Sequence, residues 1–114
     1  MNQPIHQFKA EFFKALAHPA RLAILEQLRS GEKSVGELQA GLNTDQPTIS
    51  QHLARLRVSD LVQARKEGTT TYYSVRDPAI FELMDVAKKI FNNQLVDRQA
   101  LLRQLRNESR GRAG

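Results

Sequence analysis

The 114 residues carry 17 Lys and Arg against 12 Asp and Glu, a formal net charge of +5, and no cysteine. The missing thiols exclude disulfides, thiolate nucleophiles, zinc-cysteine sites and thiol redox switches, and leave Met1 and Met84 as the only sulfur. With 40% hydrophobic and 25% charged residues, and no apolar run near the roughly 20 residues of a membrane span, the chain reads as globular and not membrane-embedded. The opening MNQPIHQF lacks the basic and apolar regions of a signal peptide, so a cytoplasmic address is expected. Nothing repeats, and the length suits one domain over 1–114 with a modest core, near the size at which a second subunit often helps.

The positive excess suits an acidic partner, but it is spread along the chain and forms no polybasic arm. Local clusters are Arg55, Arg57, Arg65 and Lys66 near the middle, and Arg98, Arg103, Arg106, Arg110 and Arg112 at the end. The second cluster runs into a tail, about 106–114, that is expected to be disordered.

In chain order, FKAEFFKALA (8–17) places Phe8, Phe12 and Leu16 at helical spacing, with Phe13 widening the stripe. HPARLAILEQLRSGE predicts a second helix opened by Pro19, whose absent N–H costs nothing in a first turn. It runs apolar at Leu22, Ile24, Leu25 and Leu28 and is ended by Gly31. SVGELQAGLN predicts a short third helix with Ser34 as N-cap, Val35, Leu38 and Leu42 inward, and a turn at Gly41-Leu42-Asn43. Asp45 caps a fourth helix from about Gln46 to Ser59, with Pro47 in its first turn. Two helices joined by so short a turn are the skeleton of a helix-turn-helix.

After Asp60 the period changes from helical to alternating. LVQARK and TTYYSVR flank EGT and predict an antiparallel hairpin with a short loop at Gly68. Asp77-Pro78 then opens a last helix whose apolar residues, Ile80, Phe81, Leu83, Met84, Val86, Ala87, Ile90 and Phe91, cover more than one stripe. A helix apolar on two sides needs two surfaces to pack on. In so short a chain the second is expected to be another copy, through this helix and the Phe-rich first one.

The fourth helix shows what the fold is for. On a wheel of about 100° per residue, Leu53 and Leu56 fall within about 40° of Ile49 and form the inward seam. The opposite half holds Pro47, Thr48, Ser50, Gln51, Ala54 and Arg55, short polar groups and one cation with no carboxylate. Such a face suits the major groove, where Gln bonds an adenine edge bidentately and Arg a guanine, and the helix N-terminus suits a phosphate. Ser, Thr, Gln and Arg are also ordinary on a solvated helix. The helix-turn-helix and a hairpin whose Arg65, Lys66, Gly68, Thr69 and Thr70 could follow a DNA backbone favour the nucleic-acid reading.

FFKALAHPARLAILEQL, SVGEL, TDQPTISQHLARLRVSDLV and RKEGTTTYYSV, in this order and spacing over about residues 8–91, resemble the ArsR/SmtB family of dimeric winged-helix bacterial repressors. The resemblance implies a mainly α fold with a β-hairpin wing and a homodimer through the first and last helices, with Phe8, Phe12, Leu16, Met84, Ala87, Ile90 and Phe91 at the interface. It also implies double-stranded DNA as partner, as a palindromic operator with half-sites about one helical turn apart. On this pattern Gln46, Thr48, Ser50 and Gln51, with Arg55, read the operator. Arg65, Lys66, Gly68, Thr69, Thr70 and Thr71 form the wing, and His52 packs.

The departures bear on the signal. Ser34-Val35-Gly36 stands where the family's soft-metal sensors have Cys-Val-Cys, and neither Ser34 nor Gly36 replaces a thiolate. Of the last-helix ligands of the zinc sensors only Asp77 remains, followed by Pro78 and Ala79, with Ile90 and Asn93 at the later positions. No metal and no cofactor are therefore expected. A non-standard metal site would have to use His6 with Asp85 or Asp97.

A small-molecule effector between apolar subunit faces, or no effector, stays open. There is no Gly-rich phosphate loop and no nucleophile-base pair, so an enzyme is not expected. The remaining alternative is a winged helix that binds protein, which would want apolar or acidic residues on the outer face of the fourth helix.

Overall fold

The computed structural model describes residues 3–113. The elements are α1 (Gln3–Leu16), α2 (Pro19–Gln27), a 3-10 turn (Leu28–Ser30), β1 (Lys33–Ser34), α3 (Val35–Leu42), α4 (Gln46–Val58), β2 (Val62–Glu67), β3 (Thr70–Val75) and α5 (Ala79–Ala113). One compact unit ends at Pro78; the second, from Ala79, is α5. The order is that of a winged helix-turn-helix.

Helix ends follow the local chemistry. Pro4 sits in the first turn of α1, where a missing N–H is tolerated, so α1 begins at Gln3 and not near Phe8. His6 therefore lies within this helix. His18 caps α2: its Nδ1 accepts the Ala20 N–H at 3.0 Å, with Pro19 next in the chain. Arg21 reaches back across the break, donating from Nε to the Ala15 carbonyl at 2.6 Å and from Nη2 to that of Lys14 at 3.4 Å. The last carbonyls of α1 are thus satisfied by a side chain of α2.

The core of the first unit is built from Ile24, Leu25 and Leu28, Leu38 of α3, Ile49, Leu53 and Leu56 of α4, and Leu61 and Val62 at the start of the hairpin, all buried. Leu22, expected with them, is 41% exposed. Of the residues expected at the dimer surface, Leu16 is 8% exposed and part of its own chain's core, whereas Phe8 is 77% exposed. Phe12 is half-buried and meets Phe13 edge to face at 5.3 Å.

The sheet is antiparallel, in the order β1-β3-β2. Its third strand, Lys33–Ser34 against Tyr73 and Tyr72, is absent from the expected hairpin because two residues carry no readable period. Gly68, at φ 62, opens the two-residue loop between β2 and β3. At the hairpin base Asp60 adopts φ 58, and its carboxylate accepts Arg76 Nη1 at 3.0 Å.

α5 runs to Ala113, through most of the stretch expected as a disordered tail, about 106–114, of which Gly114 lies outside the described residues. From Ala79 to Arg110 the chain contains no proline or glycine and is rich in Leu, Ala, Gln and Arg, which propagate helices readily. Met84 and Ala87 are half-buried. Ile90, Phe91, Leu95, Leu101, Leu102 and Leu105 are 50–58% exposed.

Candidate nucleic-acid interface

Two cap structures aim the helix-turn-helix. At the start of α3, Ser34 Oγ accepts the Glu37 N–H at 3.2 Å while Glu37 Oε1 accepts the Ser34 N–H at 3.1 Å, a complete capping box. Hydrogen bonding to the Ser34 backbone N–H first, then to the Ser34 side chain, holds the Glu37 carboxyl below the usual carboxylate range. α3 ends on Asn43 in the left-handed region, φ 49, and Thr44 donates back to the Leu42 carbonyl at 3.1 Å. Gly41, expected in the turn, is instead the last-turn residue where α3 meets α2: a Cβ there would lie 2.7 Å from Gln27 Oε1.

Asp45 then caps α4, its Oδ1 accepting the Thr48 N–H at 3.0 Å, and hydrogen bonding from Thr48 lowers its pKa. With Pro47 in the first turn, three residues (43–45) suffice to reverse the chain.

Ile49, Leu53 and Leu56 are at most 1% exposed. That rotation leaves Gln46, Pro47, Gln51 and Ala54 exposed and Thr48 and Ser50 half-buried. Gln46 Nε2 donates to Ser50 Oγ at 3.3 Å, one turn apart, so two of the expected base readers are already linked. No carboxylate lies within α4.

Arg55 stands apart from these residues. Its Nη1 donates to Ser59 Oγ, and it lines a cleft of about 340 Å³ with Phe8, Glu11, Phe12, Val58 and Asp60. Arg57, by contrast, is exposed and lines a second cleft, about 420 Å³, with Ser50, Ala54, Val58 and Tyr73. The sequence singled out Arg57 only as one cation of a cluster, because its partner surface, Tyr73, comes from the hairpin.

His52 is half-buried against His18, ring centroids 4.3 Å apart and planes tilted by 47°. Burial first, then the neighbouring His18 and Arg21, pushes its pKa down. A ring held in this way packs α4 onto α2.

The hairpin residues divide by sheet face, because successive side chains of a strand point to opposite sides. Lys66 pairs with Thr71 and shares a face with Ala64 and Tyr73; Arg65 pairs with Tyr72 on the other. Lys66, Gly68 and Thr69 are exposed, and Thr70 and Thr71 are half-buried.

Arg65 is surrounded by anions. Nε and Nη2 meet Glu32 Oε2 and Oε1 at 3.2 and 2.5 Å, Nη1 meets Glu67 Oε2 at 2.9 Å, and the guanidinium carbon lies 5.1 Å from the Tyr72 ring centroid. The hydrogen bond to Arg65 lowers the Glu32 pKa, and the bonds to Glu32 and then Glu67 raise that of Arg65.

Among the described residues, no group of three or more His, Cys, Asp or Glu could hold a metal ion, and no helix is long and apolar enough to cross a membrane.

Residues 18–64, from the cap of α2 to β2, match the family described as bacterial regulatory proteins of the arsR family. The uncharacterized HTH-type transcriptional regulator Rv0081 of Mycobacterium tuberculosis is 44% identical over 106 residues, 92% of this chain and 93% of that protein. Its crystal structure superposes with a TM-score of 0.77, covering 84% of this chain and 97% of that one. The biofilm growth-associated repressor of Agrobacterium fabrum is 42% identical over 82 residues, 72% of this chain and 70% of that protein. The solution structure of a homodimeric winged helix-turn-helix DNA-binding domain, Mb0332 from Mycobacterium bovis, superposes with a TM-score of 0.73 at 30% identity, covering 81% and 85%. The chain therefore belongs to the arsR family of bacterial regulatory proteins, as a transcriptional regulator built on a winged helix-turn-helix.

Proposed function

We propose that the protein is a homodimeric repressor that binds a palindromic operator with α4 in the major groove and the hairpin wing on the backbone. The observation that carries this reading is the outer face of α4: Gln46, Thr48, Ser50 and Gln51 clustered at its N-terminal end, without a carboxylate in the helix, and held in place by a buried apolar seam. Base edges are read by such short donors and acceptors, and recognition helices present their N-terminal residues to them. Lys66, Gly68, Thr69 and Thr71 supply sequence-independent contacts to phosphate and sugar, which fix register. Arg57, exposed beside Ser50 and Ala54, joins them as a phosphate contact.

Self-association uses the exposed apolar residues of α1 and α5, Phe8, Ile90 and Phe91 among them. Two copies related by a twofold axis place two α4 helices on half-sites about 34–36 Å apart. Its site of action is the cytoplasm, where its DNA is. The signal that releases it is not a thiolate-bound metal, since the chain has no cysteine.

Titration of the purified protein against its own upstream DNA and a shuffled duplex, at several salt concentrations, tests the reading. Saturable preference for the upstream DNA, with affinity falling steeply as salt rises, supports it, because neutralised phosphates release counterions. Absence of specific binding at every salt concentration would replace it with a winged helix that binds protein.

A further inference from the structure

Arg65 and Lys66 are neighbours in β2, both basic and both exposed, yet they stand on opposite faces of the sheet. Lys66 shares its face with Tyr73, which lines a cleft with Ser50, Ala54 and Arg57 of α4. Arg65 is on the face of Tyr72. There each of its three guanidinium nitrogens has a carboxylate oxygen of Glu32 or Glu67 within 3.2 Å.

Three of the five guanidinium N–H donors are taken by carboxylates, and a phosphate approaching the remaining two meets a cluster of one cation and two anions whose net charge repels it. The bidentate half of the cluster ties β2 to a residue 33 positions earlier, in the loop before β1. Gly31, at φ 130, gives that loop a backbone conformation that other residues adopt with strain.

We infer that Arg65 is a positioning residue: with Glu32 it clasps the hairpin to the loop before β1 and sets the angle of the wing, while Lys66 makes the phosphate contact. A single exposed ion pair contributes little, but a bidentate arginine inside a network holds geometry as well as charge. The inference rests on the wing reading proposed above, and its tests separate the two.

Binding of the full chain to its upstream DNA is measured across salt for Glu32→Gln, Arg65→Ala, Lys66→Ala and the exchange Glu32→Arg with Arg65→Glu. Removal of a carboxylate from a DNA-binding surface should by charge alone tighten binding. The clasp requires the reverse: Glu32→Gln weakens binding roughly two- to fivefold. Arg65→Ala weakens it comparably with the salt slope unchanged, the exchange recovers most of the loss, and Lys66→Ala flattens the slope by about one unit.

Glu32→Gln binding as tightly as the parent or more tightly, or a slope reduced by about one in Arg65→Ala, overturns the inference. Amide exchange of the DNA-free protein gives an independent decision should the parent bind no DNA or should Arg65→Ala not fold. Faster exchange in β2 and β3 of Glu32→Gln supports the clasp, and unchanged exchange rejects it.

Discussion

α4 and α5 are both amphipathic helices, and they meet opposite fates within one chain. The apolar seam of α4 is closed by its own protomer: Ile49, Leu53 and Leu56 are at most 1% exposed. The apolar side of α5 stays open from Ile90 onward, with Phe91 58% and Leu102 53% exposed. A closed seam leaves a helix only one surface with which to act, and in α4 that surface is the polar one. In an open seam the apolar side itself stays accessible, so on the proposed reading α4 offers a polar surface to DNA and α5 an apolar one to a second copy.

Paired substitutions break the comparison most strongly. Leu56→Ala should destabilise the fold by roughly 2–5 kcal/mol, the cost of a cavity at a fully buried leucine, measured by denaturant unfolding. Phe91→Asp should leave the winged-helix unit folded and shift the protein towards monomer, measured by sedimentation. A Phe91→Asp protein that unfolds like Leu56→Ala would show that the α5 seam is closed within the protomer after all.

The caps offer a smaller test. Asp45→Ala removes the acceptor of the Thr48 N–H and should cost about 1 kcal/mol, seen in the same unfolding experiment, with operator affinity falling as the first turn of α4 frays. An affinity loss without any stability loss would instead make Asp45 a direct contact.

His52 sharpens the comparison through pH. Because its folded pKa lies below the ordinary value, the unfolded chain takes up the proton first. Its packed neutral form therefore contributes fully above about pH 6.5, and stability falls as the pH drops below that value. Thermal melts between pH 5 and 7.5 should show this slope in the parent and a shallower one in His52→Gln; equal slopes would place the titration elsewhere.

Much of the fold was readable before any coordinates because its signals are local. A stripe at 3.6-residue spacing, Ser34 and Asp45 as caps and Pro19 and Pro47 in first turns locate α2 to α4 to within a few residues. The alternation after Asp60 locates the hairpin. The misses are non-local or too short to carry a period. Lys33–Ser34 forms a strand only because Tyr72 and Tyr73 are there to pair with it.

The apolar surface of the last helix was read only as far as Phe91, whereas Leu95, Leu101, Leu102 and Leu105 continue along the same helix. The expected site divides in the same way. Gln46, Thr48, Ser50 and Gln51 cluster as the helical wheel requires. Arg55 lines a cleft with Phe8 and Phe12, and Arg65 meets Glu32, placements that depend on elements distant in sequence. A cation in a basic cluster is thus a candidate contact until its carboxylates are located.

The central claim is that the outer face of α4 reads bases, and Gln51→Ala tests it most directly. Binding of parent and variant is measured on the upstream DNA and on a shuffled duplex at one salt concentration. A loss of roughly 1–3 kcal/mol on the upstream DNA with little change on the shuffled duplex is the predicted result. Equal losses on both, or none on either, would contradict it.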